Sequence, residues 1–581
     1  MKNSAVYQIS ALLLLATFID ARVLQDAKCE RNAKPSPESF LTVHTNGGAY
    51  GGSLIIAQRS ELKTLNPLVA LDSPSREVIS RMHADLITVN RQTQITEPAL
   101  AESWKASPDG RHYTIELRRG LRFSDGHPFD SDDVVFSFKL YLDEKLHSPQ
   151  RDLLVVHGVP AEVRKIGRYS VTVDFADTYA SADRLFDAVP MLPKHLLETP
   201  YAQGLLVSSW GVNTRPEQIA GMGPFRFKQY RPGQEVTLER NPYYWKKDER
   251  QQRLPYLDGM KFTFAGSEDG QVARFLSREA DVINRIGSKS FSMLQRSERT
   301  SSERLDDLGP GLEYTFLTFN FAHDLFRDVQ FRRAISTAID RGAIARLAYG
   351  GRATVLAGNV TPANKLWRNK NLPSPKWSVE EARKMLLEAG FKWNADSKLL
   401  DRAGNPVRFS IISATNNPER LQTATLIQYD LGHIGIDVQV VPLEFRAMID
   451  RVTRTRQFEA CILSFGGADG DPNSEMNVWL SSGSMHLWAP EQKHPGTPWE
   501  SQIDHLMQAQ MGELDRVKRK DLYDRVQEIV AQQQPLICLV SPHILAASRK
   551  RIVNLQPAVL ESYTLWNSEM LALHPSRGAV Q

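Results

Sequence analysis

Cysteine is scarce, with three in 581 residues, too few for a disulfide framework. Cys461 and Cys538 lie in apolar, strand-like runs and read as small buried hydrophobes, although one disulfide stays formally open in an oxidising compartment. The spaced ligand sets CxxC and HExxH are missing, and so is the GxSxG elbow of a serine hydrolase. The chain therefore offers neither a metal centre nor a placed nucleophile, and no cofactor is expected. Past the N-terminal region no apolar run is long enough to span a bilayer. An excess of charge is missing too. The net charge is +4, and the basic run Arg516 to Lys520 has Glu513 and Asp515 beside it in a helical pattern. It reads as a solvated helix face rather than a nucleic-acid surface, which needs sustained basic character with interleaved aromatics.

What is present points to a soluble protein of two or more globular units, since 581 residues exceed one core and 41% are hydrophobic against 24% charged. Lys2 followed by an apolar run from Ile9 to Ile19 has the form of an export signal, so residues 1–35 are expected to be signal and tether. Asp26, Ala27 and Lys28 disfavour a lipid anchor on the following Cys29.

In the first half, Asp109 and Gly110 form a turn before a strand over 113–117, with Tyr113, Ile115 and Leu117 on one face. Asp130 then caps a helix carrying Val134, Val135 and Phe138 on its apolar side. Further strands are expected at 52–57, 170–175, 236–240 and 261–264. Later, Ser378 and Glu381 make a capping box for a helix ended by Gly390. An alternating series follows, with strands at 407–414, 436–442 and 458–465 and helices at 418–433 and 445–452. Such a series implies a layered α/β sheet that binds at strand ends. Gly309, Pro310 and Gly311 break regular structure and read equally as a hinge or a surface turn.

Three blocks extend beyond these local patterns. ALAESWKASPDGRHYTIELRRGLRFSDGHPFDSDDVVFSF at 99–138, GPFRFKQYRPGQEVTLERNPYYW at 223–245 and FNFAHDLFRDVQFRRAISTAIDRGAIARLAYGG at 319–351 resemble, in order, the family-5 extracellular solute-binding proteins of ABC transporters. The resemblance covers roughly residues 51–573. It implies a two-lobed α/β periplasmic-binding-protein fold, class II-like. Lobe I would span 36–310 with a sub-domain at about 70–210, lobe II 311–545, and 546–581 would return to lobe I. The crossings would lie at 309–311 and 541–547. The implied function is capture of a short peptide by lobe closure and its delivery to permease subunits. The protein would be periplasmic or extracytoplasmic, a monomer, and not an enzyme. The same fold with another cargo, a nickel chelate or an oligosaccharide, is the alternative, and a secreted hydrolase is the remote one. His433, His486 and His494 are too scattered to suggest a directly bound metal.

The most site-like segment is CILSFGGADGDP at 461–472. A strand ending in Phe465, Gly466, Gly467 and Ala468 permits close approach by an extended ligand chain. In the peptide-binding branch a matching aspartate holds the ligand's α-ammonium, and the resemblance puts Asp469 there. Only Gly470 separates it from Asp471, so the two carboxylates could exchange roles, or each could simply cap the following turn. No basic residue precedes the glycines, which leaves a ligand carboxylate without a partner. In the first lobe, Leu68, Val69 and Ala70 beyond the Asn66–Pro67 turn are candidates for backbone contact with ligand, or a structural loop. Trp488 is a candidate apolar wall, or a side chain packed beneath its loop.

Overall fold

The Asp109–Gly110 turn forms as its residues require. Gly110 takes φ +65°, and strand His112–Leu117 follows with Tyr113, Ile115 and Leu117 buried. The computed structural model describes residues 39–156, 158–297, 302–466, 470–490 and 492–574. The export-signal reading, Cys29 included, lies outside the described residues. Asp130 caps helix Ser131–Leu142 by accepting from the Asp132 amide, while the Asp133 carboxylate accepts from the Asp130 amide. Val134 and Phe138 are fully buried. Strands Ala101–Ala106, His112–Leu117, Ser170–Asp174 and Glu162–Gly167 make a four-stranded antiparallel sheet in that order.

A twelve-stranded mixed sheet runs through the molecule. From one edge come Phe225–Arg231, Glu235–Arg240, Gly259–Phe264, Ser53–Gln58 and Val282–Ile283. Leu536–Arg549 follows in the middle, then Tyr314–Phe319, Ala460–Phe465, Arg408–Ala414 and Asp437–Leu443, while Glu303–Pro310 and Ala353–Val355 also pair with Leu536–Arg549 off this path. One large core draws on residues 54–282 and 552–572, and a second on 314–540. Leu536–Arg549 joins them. Its first residues pack in the second core, and Leu545 and Ala547 pack in a small third one with Phe275 and Phe291.

The local expectations at 407–465 match the observed elements to within about two residues at each end. Helix Pro418–Gly432 lies between parallel strands Arg408–Ala414 and Asp437–Leu443, and Phe445–Asp450 runs on as a π turn, Arg451–Thr455. Gly309 takes φ +77° at a β-bulge, where the register slips between Asp307 and Pro310. Strand Glu303–Pro310 ends there, and Gly311 lies before strand Tyr314–Phe319. Residues 541–547 lie within the continuous strand Leu536–Arg549. One local reading needs correction: Ser378 caps the Glu381 amide at 3.0 Å, but its own amide donates to Thr337 O, so the box closes on one side only. No described helix is long and apolar enough to cross a membrane. Cys461 and Cys538 are buried free thiols, both pushed upward in pKa by burial.

Candidate functional site

Strand Tyr314–Phe319 pairs antiparallel with Ala460–Phe465, setting Tyr314 opposite Phe465 and Thr315 opposite Ser464. The Thr315 and Ser464 hydroxyls meet at 2.9 Å. Phe465 is half-buried, its ring centroid 4.7 Å from that of Phe316 and 5.9 Å from that of Tyr314. The strand therefore ends on an aromatic anchor, and the next residue, Gly466, is exposed. Gly467, Ala468 and Asp469 lie outside the described residues. The chain resumes at Gly470, whose φ of +78° favours glycine and whose carbonyl accepts from Asn364 Nδ2 at 2.7 Å.

Asp471 is not available to a ligand, which corrects one of the two carboxylate readings. It is 3% exposed, and its two oxygens accept from the two Nη atoms of Arg519 at 2.6 and 2.9 Å. Its Oδ1 also accepts from the Asn473 amide and so caps the turn Pro472–Glu475. A carboxylate in a bidentate pair with a buried guanidinium has its charge already answered. Arg519 is equally committed. Its Nε donates to Gln510 O and Oε1, and its guanidinium lies 4.7 Å from the centroid of the Trp367 ring. The basic run at 516–520 is thus not wholly a solvated face, because Arg519 turns inward on helix Arg516–Gln533.

The Asn66–Pro67 loop also uses its polar groups internally. Asn66 Oδ1 accepts from the Leu68 amide, Asn66 O accepts from the Val69 amide, and Asn66 Nδ2 donates to Leu206 O and Ser209 O. Leu68 and Ala70 are buried and Val69 is half-buried. The amides of Leu68 and Val69 are therefore not free for a ligand, and Leu68 is a core residue.

Trp488 is a further correction. It is fully buried beside Trp479, Trp499 and His486, and its Nε1 donates to Glu500 Oε1 at 3.0 Å, so it forms no cleft wall. Glu500 is the hub of this region. Its carboxylate accepts from Trp488, His486 Nε2, the Gly496 amide and Thr497 Oγ1. Burial alone would raise its pKa, but the bonds from His486, Trp488 and Thr497 win and hold it down to about 2, against an ordinary value of 4.5. A depressed carboxylate contributes stability that is present above its unfolded value and lost as pH falls through the folded one. Acid titration of unfolding should therefore show a loss between pH 4.5 and 2 that Glu500→Gln lacks. Parallel pH profiles for the two proteins would reject this role.

A charged network that no local pattern announces ties distant segments together. Glu313 accepts from Arg285 Nη2 at 2.7 Å and lies 3.9 Å from Arg420 Nη2, while Arg285 Nη1 donates to the Tyr563 hydroxyl at 3.3 Å. Burial would raise Glu313, yet Arg285, then Arg420 and Ser464, hold it below its usual range. The chain segments that carry the two large cores also touch directly, through residues outside the cores themselves. Gln94 donates to Ala363 O and accepts from the Lys365 amide, Asn473 Nδ2 donates to Ser181 Oγ, and the Ala180 amide donates to Met511 O. These contacts gather around Asn364 and Asn473, which flank the resumed chain at Gly470. Among the described residues no group of three or more His, Cys, Asp or Glu is placed to hold a metal.

The model for bacterial extracellular solute-binding proteins, family 5 middle, matches residues 96–486. The chain is 28% identical over 531 residues to a probable ABC transporter-binding protein of Deinococcus radiodurans, covering 86% of this chain and 89% of that protein. It is 24% identical to the oligopeptide-binding protein AppA of Bacillus subtilis, covering 93% and 94%. The solved structure of that AppA with a nonapeptide superposes with TM-score 0.71 at 22% identity, over 91% of this chain and 100% of the other. NikZ of Campylobacter jejuni in complex with Ni(L-His) superposes with TM-score 0.72 at 22% identity, over 90% and 99%. The structural likeness establishes the shared α/β fold.

Proposed function

The chain belongs to the bacterial extracellular solute-binding proteins of family 5, and from that premise we propose that it captures short peptides between two lobes and hands them to an ABC-type permease. Lobe I takes 36–310, with its sub-domain at about 70–210, lobe II takes 311–545, and 546–581 returns to lobe I. The two large cores, joined through Leu536–Arg549, support this division. The protein works as a monomer exported by its N-terminal signal.

The observation that carries the reading is the strand Ala460–Phe465, which ends at exposed Gly466, shortly before Gly470 accepts from Asn364, whose neighbour Lys365 donates to Gln94 of the first segment. An extended peptide lying there pairs by its main chain, which makes affinity largely independent of side chains. Asp469 is the partner for the peptide's α-ammonium. Arg519 already engages Asp471, and this favours Asp469 over its neighbour. The relatives named above include proteins titled for oligopeptide binding and for a nickel–histidine complex, so cargo is the point to test. Di- to pentapeptides at about 100 times their Kd should add roughly 2.7 kcal/mol to stability in a thermal-shift screen. If peptides leave the midpoint unmoved while nickel–histidine or an oligosaccharide raises it, the peptide assignment is wrong.

A further inference from the structure

Helix Val329–Ala338, the segment 356–358, the loop 373–376 and the start of strand Leu536–Arg549 line a half-open cavity of about 350 Å³. Its lining comes entirely from 333–385 and 530–538, so no residue of the first large core reaches it. Three cationic side chains line it, Arg333, Arg341 and Lys376, and no aspartate or glutamate does.

Arg341 is 5% exposed. Its Nε donates to Cys538 O, its Nη1 to Ser336 O and its Nη2 to Ser336 Oγ, all neutral acceptors. Arg333 spends its Nε on Gln532 O. Among the described residues neither arginine nor Lys376 has a carboxylate partner. Buried arginines elsewhere in the chain are met in two ways, Arg519 by Asp471 and Arg549 by Glu303, but Arg118 through its Nε by the Ala99 carbonyl. Arg332, the neighbour of Arg333, is no part of the cavity. Its guanidinium closes on the carbonyls of Gln533, Phe326 and Arg327.

A buried guanidinium without a counter-charge keeps a desolvation cost that an anion would offset. Arginine presents a planar fork of donors suited to the paired oxygens of phosphate or carboxylate. The cavity is of the size that takes small molecules. We propose that it is a binding site for a small oxyanion, a phosphate or a polycarboxylate, separate from the peptide site.

The test is calorimetric titration of the full chain with inorganic phosphate and with citrate, at an ionic strength held constant with sodium chloride. At least one should bind saturably. Arg333→Gln and Lys376→Gln, both at side chains that reach solvent, should each weaken that binding about tenfold while leaving the peptide-induced thermal shift unchanged. Binding of phosphate alone or citrate alone identifies the class of oxyanion. Heat no greater than the chloride control for both, or binding that neither substitution weakens in a protein of unchanged circular dichroism, overturns the proposal.

Discussion

Arg519→Met should destabilise the protein by about 3 to 5 kcal/mol, because it leaves the Asp471 carboxylate buried without a counter-charge. Methionine keeps most of the apolar stem, so the loss is not mainly one of packing. What goes is the pair of bonds to Asp471, the Nε bonds to Gln510 and the contact with the Trp367 ring. Adding Asp471→Asn should restore much of the stability. Asparagine still caps the Asn473 amide and brings no charge that needs an answer. Denaturant unfolding of both single variants and the double variant measures the coupling directly. A cost below about 1 kcal/mol for Arg519→Met, or a double variant no better than the single, would show that water reaches this pair despite its burial.

Where the chain organises itself locally, its sequence was readable. Asp130 and Gly110 announce their cap and turn through side-chain chemistry and backbone freedom alone, and the α/β series from 407 to 465 follows from hydrophobic period. The long strand was not. Its burial is nearly continuous from Leu536 to Arg549, so no alternation marks it, and neighbours from several segments determine that it stays extended past 541. Arg519 sits among Arg516, Lys518 and Lys520, and composition cannot tell an inward guanidinium from three outward charges. Asp471 poses the same difficulty, since the spacing around Gly470 offers two carboxylates and only the fold brings Arg519, 48 residues away, to one of them. The Arg285–Glu313–Arg420–Tyr563 network joins four segments with no shared period, so only tertiary structure assembles it. Trp488 poses a choice that burial decides. A tryptophan beside a proline reads as a ligand wall or as a side chain packed beneath its loop, and the second holds, since its indole N–H is satisfied by Glu500 inside a core.

Asp469→Asn should weaken peptides that carry a free α-ammonium by about 30-fold to several thousand-fold. Removing one partner of a desolvated charged pair costs about 2 to 5 kcal/mol. The substitution keeps the side chain's shape, so folding should change little. An N-acetylated version of the same peptide brings no positive charge and should bind the variant and the parent with similar affinity. Asp471→Asn is the informative companion. Its carboxylate already accepts both Nη atoms of Arg519, so its loss should act on stability and on the loop after Gly470 while treating free and acetylated peptides alike. Calorimetric titration of both variants against both peptides separates the two carboxylates. A loss confined to the free peptide in Asp469→Asn supports ammonium capture, and equal losses for both peptides reject it. Selectivity that appears in Asp471→Asn instead would mean that ligand binding takes Asp471 away from Arg519, a rearrangement that the bidentate geometry and burial of that pair argue against.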